Sequence, residues 1–268
     1  MDDALLLAAL AADENEEDLL LLTCMKDDEN ESKIFNFNEL SDELCRKLFR
    51  FSKTDIPVLC DSLRIPDQFV CANRTVCSGL EALCLLLRRL AYPSRLSDLK
   101  AVFGRSETAM SVIINDVLDY IYRTHGHLLS DLNRSWLSYE RLEQLAVAVT
   151  NKDAPLPNCW GFIDGTVRPI CRPTSNQRLV FNGHKRTHAI KFQSIVTPNG
   201  LVANMYGPIQ GRRHDAGLLR ESNIMEKLER YMTSPAGDIY VIYADPAYPL
   251  TSHIVTPFKG TVISAQQA

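Results

Sequence analysis

Residues 160–170 read WGFIDGTVRPI and predict a strand that ends on the carboxylate of Asp164. Gly165 favours a sharp turn directly after this acid. A second stretch of the same character, IYVIYADPAYPL at residues 239–250, carries Asp245 after another apolar run, 81 residues downstream of Asp164. The two stretches therefore predict two buried strands that each deliver an acid at their end.

The region around these stretches predicts an α/β fold. Residues 159–210 alternate short apolar runs with Gly, Pro and Asn, which is typical of three successive strands, the last two joined by a turn at Pro198-Asn199-Gly200. A helix is expected over about residues 214–232, followed by a fourth strand that is buried on both faces. Because a helical crossover allows this fourth strand to pair parallel with the first, Asp164 and Asp245 are expected to lie close together.

Two carboxylates from distant strands repel each other unless a cation lies between them. Mg²⁺ and Mn²⁺ prefer oxygen ligands, often one or two carboxylates with substrate phosphates and water. The alternative for a single acid at a strand end is a turn cap. Asp215, which begins the predicted helix, also has two interpretations: an acid that stabilises the helix N-terminus, or a further metal ligand or support for the site.

Histidines and aromatic residues near these acids have less specific interpretations. The spacing of His184 and His188 would suit zinc on a helix, but both enter a predicted strand, so phosphate or turn contacts are favoured. Trp160, Phe162 and Tyr248 are expected to be core residues rather than groups that stack on bases.

The charge is distributed unevenly along the chain. The net charge is −4, yet residues 1–31 hold eleven acids and one base, so the remaining 237 residues carry +6. Residues 168–220 contain nine bases and one acid, a density that favours contact with a phosphate backbone, with a solubilising face as the alternative. The predicted DNA-binding residues are Arg168, Arg172, Lys185, Arg186, Lys191, Arg212 and Arg213.

The residues before the predicted sheet indicate a helical domain. We expect a flexible acidic arm over residues 1–33, a helical domain over 34–151 and the α/β domain over 152–268. Ser41 and Thr54 are candidate N-caps, and a longer helix is expected to begin near Thr75. A short helix at about residues 96–103, a turn with Gly104 and a long helix capped by Ser106 predict a helix-turn-helix, with a plain helical hairpin as the alternative.

The cysteine pattern and the N-terminal charge indicate where in the cell the protein is expected. The eight cysteines form no CxxC pair and the N-terminus is acidic rather than basic, so reduced thiols and an intracellular protein are expected. No apolar run reaches the length of about 18–20 residues that spans a bilayer, so no membrane association is expected.

Four blocks in order, GFIDGTVRPICRP, QRLVFNGHKRTHAIKFQSIVTPNGL, GRRHDAGLL and YADPAYPL, closely resemble the nuclease domain of PIF/Harbinger-type DNA transposases and their domesticated relatives. The resemblance covers about residues 159–258. It implies an RNase H-like fold behind an N-terminal helical domain, and metal-dependent DNA cleavage and strand transfer by a DDE-type site. Asp164 would be the first catalytic acid, Asp245 the second, and Asp215 a metal ligand with them.

The same resemblance implies a cofactor, partners and a location. The cofactor would be Mg²⁺ or Mn²⁺, the substrate would be DNA, and a Myb-like protein could share DNA binding. The expected compartment is the nucleus, with the cytoplasm second.

The sequence departs from the family pattern after Asp245. The family's third acid, a glutamate on a later helix, has no counterpart, since the 23 residues after Asp245 contain no Asp or Glu. The last strand and helix of the RNase H-like fold are also expected to be missing. Three hypotheses follow: a metal-dependent nuclease, an inactive DNA-binding remnant, and an incomplete chain without a stable fold.

Overall fold

A computed structural model describes residues 35–257 of the chain. Two compact units meet in sequence between His125 and Gly126. The sequence predicted a boundary after residue 151 instead. The helix Tyr139–Thr150 packs on the strand Cys159–Pro169, so it folds with the sheet and not with the preceding helices. The predicted acidic arm lies outside the described residues.

The first unit is mainly helical. A 3₁₀ helix at Phe37–Glu39 comes before its regular elements. These elements are α1 (Asp42–Phe49), α2 (Asp55–Ser62), β1 (Gln68–Val70), β2 (Val76–Ser78), α3 (Gly79–Ala91), α4 (Leu96–Phe103) and α5 (Glu107–His125).

Of the two N-caps predicted for this unit, one is observed. The Ser41 hydroxyl accepts a hydrogen bond from the Leu44 N–H at 3.1 Å, which confirms its predicted capping role. Thr54 precedes α2 without a side-chain cap. The helix expected from Thr75 begins only at Gly79, because residues Val76–Ser78 pair antiparallel with β1. That two-stranded hairpin was not predicted.

The predicted short helix, turn and long helix are present, which suits both a helix-turn-helix and a plain helical hairpin. Helix α4 ends at Gly104, which has a φ of +63° in the left-handed region. Ser106 then accepts a hydrogen bond from the Ala109 N–H at 3.3 Å at the start of α5. Its role in reading DNA stays a prediction.

The second unit combines helices with a six-stranded sheet. Two 3₁₀ helices, Gly126–Leu129 and Ser135–Leu137, come first. The elements that follow are α6 (Tyr139–Thr150), β3 (Cys159–Pro169), α7 (Gln177–Val180), β4 (Phe181–Asn182), β5 (Thr187–Val196), β6 (Val202–Gln210), α8 (Asp215–Glu221), α9 (Ile224–Tyr231), β7 (Val241–Ala244) and β8 (Ile254–Val255).

The sheet is mixed, and its strand order is β4-β5-β3-β7-β8, with β6 also paired to β5. Strands β3, β5 and β6 pair antiparallel, whereas β3, β7 and β8 pair parallel. The predicted parallel pairing of the first and fourth strands is therefore confirmed. This α/β architecture is consistent with an RNase H-like fold.

Three predicted features of the sheet are wrong. Strand β3 does not turn at Gly165 but continues to Pro169, because β5 pairs with it along its whole second half. The fourth strand is short, and Tyr243 in it is 37% exposed, so it is not buried on both faces. A further strand, β8, follows it, although the last strand was expected to be missing.

The helix predicted over residues 214–232 is divided in two. Asn223 lies in the left-handed region with a φ of +50° and separates α8 from α9. Asn tolerates this conformation better than most residues, which explains a break without glycine. No helix within residues 35–257 is long and apolar enough to cross a membrane.

Candidate active site

Asp164 and Asp245 each come directly after one member of a residue pair in two neighbouring parallel strands. Ile163 of β3 pairs with Ala244 of β7, and the next residue in each strand direction is the acid. Both acids are exposed. Asp245 stands where β7 ends, and its Oδ1 accepts a hydrogen bond from the Ala247 N–H at 2.9 Å. The predicted proximity of the two acids is therefore confirmed.

Asp215 approaches β3 from the opposite face. Side chains alternate along a strand, so the face on which a side chain at Gly165 would project is not the face of Asp164. A Cβ atom at Gly165 would meet the Asp215 carboxylate first, with Cγ at 3.1 Å. By strand alternation Asp164 and the Asp215 contact at Gly165 belong to opposite faces of β3, although all three acids line the same cleft.

Lys191 holds the Asp215 carboxylate. Its Nζ donates to Asp215 Oδ1 at 2.5 Å and to the Arg213 carbonyl at 3.1 Å. Lys191 lies opposite Val167 in the β3–β5 ladder, on the same face as Gly165, and its side chain is only 6% exposed. Because a buried ammonium needs a partner, this ion pair explains why a lysine is tolerated inside the sheet.

Asp215 is the first residue of α8, as expected, but its carboxylate does not cap the helix. The preceding residue, His214, occupies the N-cap position without a side-chain hydrogen bond. The carboxylate is instead committed to Lys191. Of its two predicted roles, the geometry favours support of the site over helix capping.

Tyr248 lies behind the acids. Its ring is buried, and its hydroxyl has no hydrogen-bond partner among the described residues. The oxygen lies 3.4 Å from the position of a Cβ at Gly165. Burial raises the pKa of Tyr248 well above its usual range, and Asp215, Asp164 and Asp245 raise it further. All three carboxylates therefore act on this hydroxyl, which stays protonated.

The acids face a cleft of about 940 Å³. Asp164, Asp215 and Asp245 line it together with basic and small residues. The basic lining consists of His184, Lys185, Lys191, Arg212 and Arg213. Such a combination suits a polyanion that approaches acids through a positively charged rim.

Of the predicted DNA-binding residues, Lys185, Lys191, Arg212 and Arg213 line the cleft. All but Lys191 are exposed. Arg213 pairs with Glu221 at 3.0 Å. Arg172 donates to Gln177 at 3.0 Å and lines a smaller pocket of about 440 Å³ with Arg178, Phe181 and His188. Contact of these residues with DNA stays a prediction.

The histidines and aromatics can also be placed. His184 lines the cleft, whereas His188 packs edge-on against Phe181, with ring centroids 5.4 Å apart. Trp160 and Tyr248 are buried as predicted. Phe162 is 42% exposed, so its predicted place in the core is wrong; it alternates with the buried Gly161 and Ile163.

Asp164 and Asp245 are the carboxylates that could hold a divalent cation at this site. Asp164 takes part in the backbone ladder with β5, but its carboxylate makes no hydrogen bond or ion pair within residues 35–257, so it is free to act as a ligand. Mg²⁺ commonly uses one or two carboxylates and completes its shell with water and phosphate oxygens. Asp164 and Asp245 fit that requirement. In the described part of the chain, no group of three or more His, Cys, Asp or Glu side chains could hold a metal ion.

Two groups at this site were missed by sequence reasoning. Lys191 was predicted as a phosphate contact, and Tyr248 as a plain core residue. In HAIKFQSIV the larger apolar residues alternate with Lys191, so the sequence does not indicate that Lys191 lies on the buried face with Ala189 and Ile195. No signal marks the Tyr248 hydroxyl either.

Comparison with known proteins adds one finding. Residues 163–268 match the family model of the DDE superfamily endonuclease. This segment begins one residue before Asp164 and includes Asp215 and Asp245. No curated protein matches the chain, and no solved structure matches it.

Proposed function

We propose that the second unit is a divalent-metal-dependent DNA endonuclease of the transposase type, with Asp164 and Asp245 as its catalytic carboxylates. The observation that carries this proposal is their position directly after the paired residues Ile163 and Ala244, in the lining of a basic cleft. The match of this segment to the DDE superfamily endonuclease supports the same reaction class.

The basic and acidic residues of the cleft would have different roles. Exposed bases such as Lys185 and Arg212 would neutralise phosphates and draw the strand into the cleft. Asp164 and Asp245 would hold the cation. The turn that binds Asp245 to the Ala247 N–H fixes the direction of that carboxylate. A bound divalent cation would polarise the phosphodiester and activate the attacking water.

Finer features of the proposal rest on sequence resemblance. They are a PIF/Harbinger-type lineage, action in the nucleus, and DNA binding shared with a Myb-like partner. The identity of the cation, Mg²⁺ or Mn²⁺, belongs to the same group.

Plasmid nicking tests the proposal. The full chain is incubated with supercoiled plasmid in Mg²⁺ or Mn²⁺, with EDTA as the metal-free reference. Loss of outer-shell groups in metal sites costs about 10–100-fold, so Asp164→Asn and Asp245→Asn should each lower the nicking rate by more than about 100-fold. Glu226→Gln, at an exposed acid of α9 outside the cleft lining, is the matched control. Nicking that survives in Asp164→Asn would refute the assignment.

A second function is favoured by one observation. The described residues hold no group of three acids for a metal, and Asp215 is already paired with Lys191. A DNA-binding protein without nuclease activity is therefore the alternative. It predicts that the wild-type chain does not nick plasmid in either metal, yet binds duplex DNA in EDTA with an affinity that falls steeply with salt.

A further inference from the structure

The acids of the cleft are not equivalent, although all three line it. Asp164 belongs to one face of β3, while the Asp215 carboxylate lies where a side chain at Gly165 would project, on the second face. Gln193, opposite Gly165, and Lys191, two residues along the same strand, belong to that second face. The Asp215 carboxylate thus meets an ammonium on a buried surface, whereas Asp164 is exposed and unpaired.

The surroundings of Asp215 leave its Oδ1 atom little room for a metal ion. Lys191 Nζ contacts this oxygen at 2.5 Å, and the backbone of Gly165 packs against the same group. The buried Tyr248 hydroxyl lies nearby, 3.4 Å from the position of a Cβ at Gly165. A lysine that is 6% exposed gains no solvation if Asp215 turns away to bind a cation, so separating the pair would leave a buried charge without a partner.

We infer that Lys191 and Asp215 form an internal ion pair that supports the cleft and contributes neither a metal ligand nor a phosphate contact, so that Asp164 and Asp245 bind a single exchangeable divalent cation. This inference rests on the proposed function and restricts it. It changes two roles that the sequence suggested, since Lys191 was expected to bind DNA and Asp215 to bind metal.

Metal stoichiometry tests the inference without any assay of cleavage. Mn²⁺ binding to the full chain is followed by calorimetry and by the electron paramagnetic resonance signal of free Mn²⁺. The key variant is Lys191→Met with Asp215→Asn, which removes both charges and leaves no buried ion unpaired. We expect one Mn²⁺ per chain in the wild type and in this double variant, with an affinity loss in the variant of no more than about 10-fold. Asp164→Asn is the reference for loss of a ligand.

Salt dependence provides a second readout on the same proteins. Each lysine that contacts a phosphate adds about one unit to the slope of log Kd against log salt. The slope for a short duplex should be unchanged in the double variant. Lys185→Ala, at an exposed base of the same cleft, should reduce it by about one unit.

The outcomes separate the inference from the function on which it rests. Two Mn²⁺ per chain in the wild type, or an affinity loss beyond about 10-fold in the double variant, would overturn the inference while the endonuclease proposal stands. A reduced salt slope in the double variant would overturn it as well. A wild-type chain that binds no Mn²⁺ and does not nick plasmid would refute the proposed function, and the inference with it. If this double variant fails to fold, Lys191→Gln with Asp215→Asn takes its place, since two neutral amides leave no buried charge and can hydrogen-bond to each other, and it should also bind one Mn²⁺.

Discussion

Gly165 packs directly against the carboxylate of Asp215, in the direction that a side chain at this position would take. The carboxylate has little freedom to retreat, because Lys191 Nζ holds it at 2.5 Å. The Tyr248 hydroxyl lies on the same side, at 3.4 Å from the position of the missing Cβ. Because Gly165 has no side chain, the Asp215 carboxylate of the Lys191–Asp215 pair can pack closely against strand β3.

Gly165→Ala is therefore expected to destabilise the second unit by about 1–3 kcal/mol, as overpacking of a closed site does. Trp136 and Trp160, the two tryptophans of the chain, both lie in this unit, so urea unfolding followed by tryptophan fluorescence reports on it. Gly217→Ala is the control: a Cβ there meets nothing within 4 Å, and alanine in α8 should be neutral or stabilise by up to about 1 kcal/mol. Equal effects of the two changes would contradict the packing argument.

Tyr248→Phe should leave the second unit as stable as the wild type or stabilise it by about 1 kcal/mol. The hydroxyl is buried and has no partner among the described residues, and removing an unsatisfied polar group recovers its desolvation cost. Tyr120 is the matched comparison, because its hydroxyl has a hydrogen-bond partner. Its hydroxyl donates to the Arg64 carbonyl in the first unit, so Tyr120→Phe should cost about 1 kcal/mol.

Tryptophan fluorescence reports on Tyr248→Phe, and far-UV circular dichroism on Tyr120→Phe, because the first unit contains no tryptophan. A loss of more than about 1 kcal/mol in Tyr248→Phe would show that the hydroxyl is hydrogen-bonded in solution.

Much of the second unit could be predicted because its signals are local. Strand alternation and the Pro198-Asn199-Gly200 turn predict β3, β5 and β6, and the rule for helical crossovers predicts the parallel β7. Asp164 and Asp245 were brought together by that topology. Their positions depend only on strand order and register, which hydrophobic patterns encode.

The features that could not be predicted depend on tertiary pairing. Gly165 looks like a turn residue in sequence, and only the partner strand β5 shows that β3 continues through it. Asp215 and Lys191 are 24 residues apart, and no sequence pattern indicates that their side chains meet. The hairpin of β1 and β2 was missed because three-residue strands are too short to show alternation.

Arg105 and Glu81 should matter more to the first unit than any surface ion pair. The Arg105 Nε and Nη2 atoms donate to the two Glu81 carboxylate oxygens at 2.5 and 2.9 Å, and Glu81 is 8% exposed. Arg105→Ala leaves that carboxylate buried without a partner, which is expected to cost about 3–5 kcal/mol. Urea unfolding followed by circular dichroism measures this loss.

The control for this pair is Arg123→Ala. Arg123 and Asp119 form an ion pair on α5 at 3.3 Å, with side chains 80% and 68% exposed. Exposed pairs of this kind contribute about 0.3–0.5 kcal/mol. Equal losses of unfolding free energy in the two arginine variants would show that burial does not strengthen the Arg105–Glu81 pair.

Cys171 should be the first of the described cysteines to react with iodoacetamide. It is exposed, whereas Cys45, Cys60, Cys71, Cys77, Cys84 and Cys159 are buried. Burial is also the main cause that raises the pKa of Cys77 to about 12, with Glu81 as the second cause. Because the thiolate is the nucleophile, the reactive fraction of Cys77 at pH 8 is about a thousandfold smaller than that of an ordinary thiol.

Peptide mass spectrometry at increasing times of alkylation, at pH 8, ranks the cysteines. We expect Cys171 to be modified before any buried thiol, and all of them to react at similar rates once the protein is unfolded in urea. Cys77 modified as fast as Cys171 in the native protein would mean that the hairpin of β1 and β2 opens readily in solution, since opening is the only route by which its thiol gains both access to the reagent and an ordinary pKa.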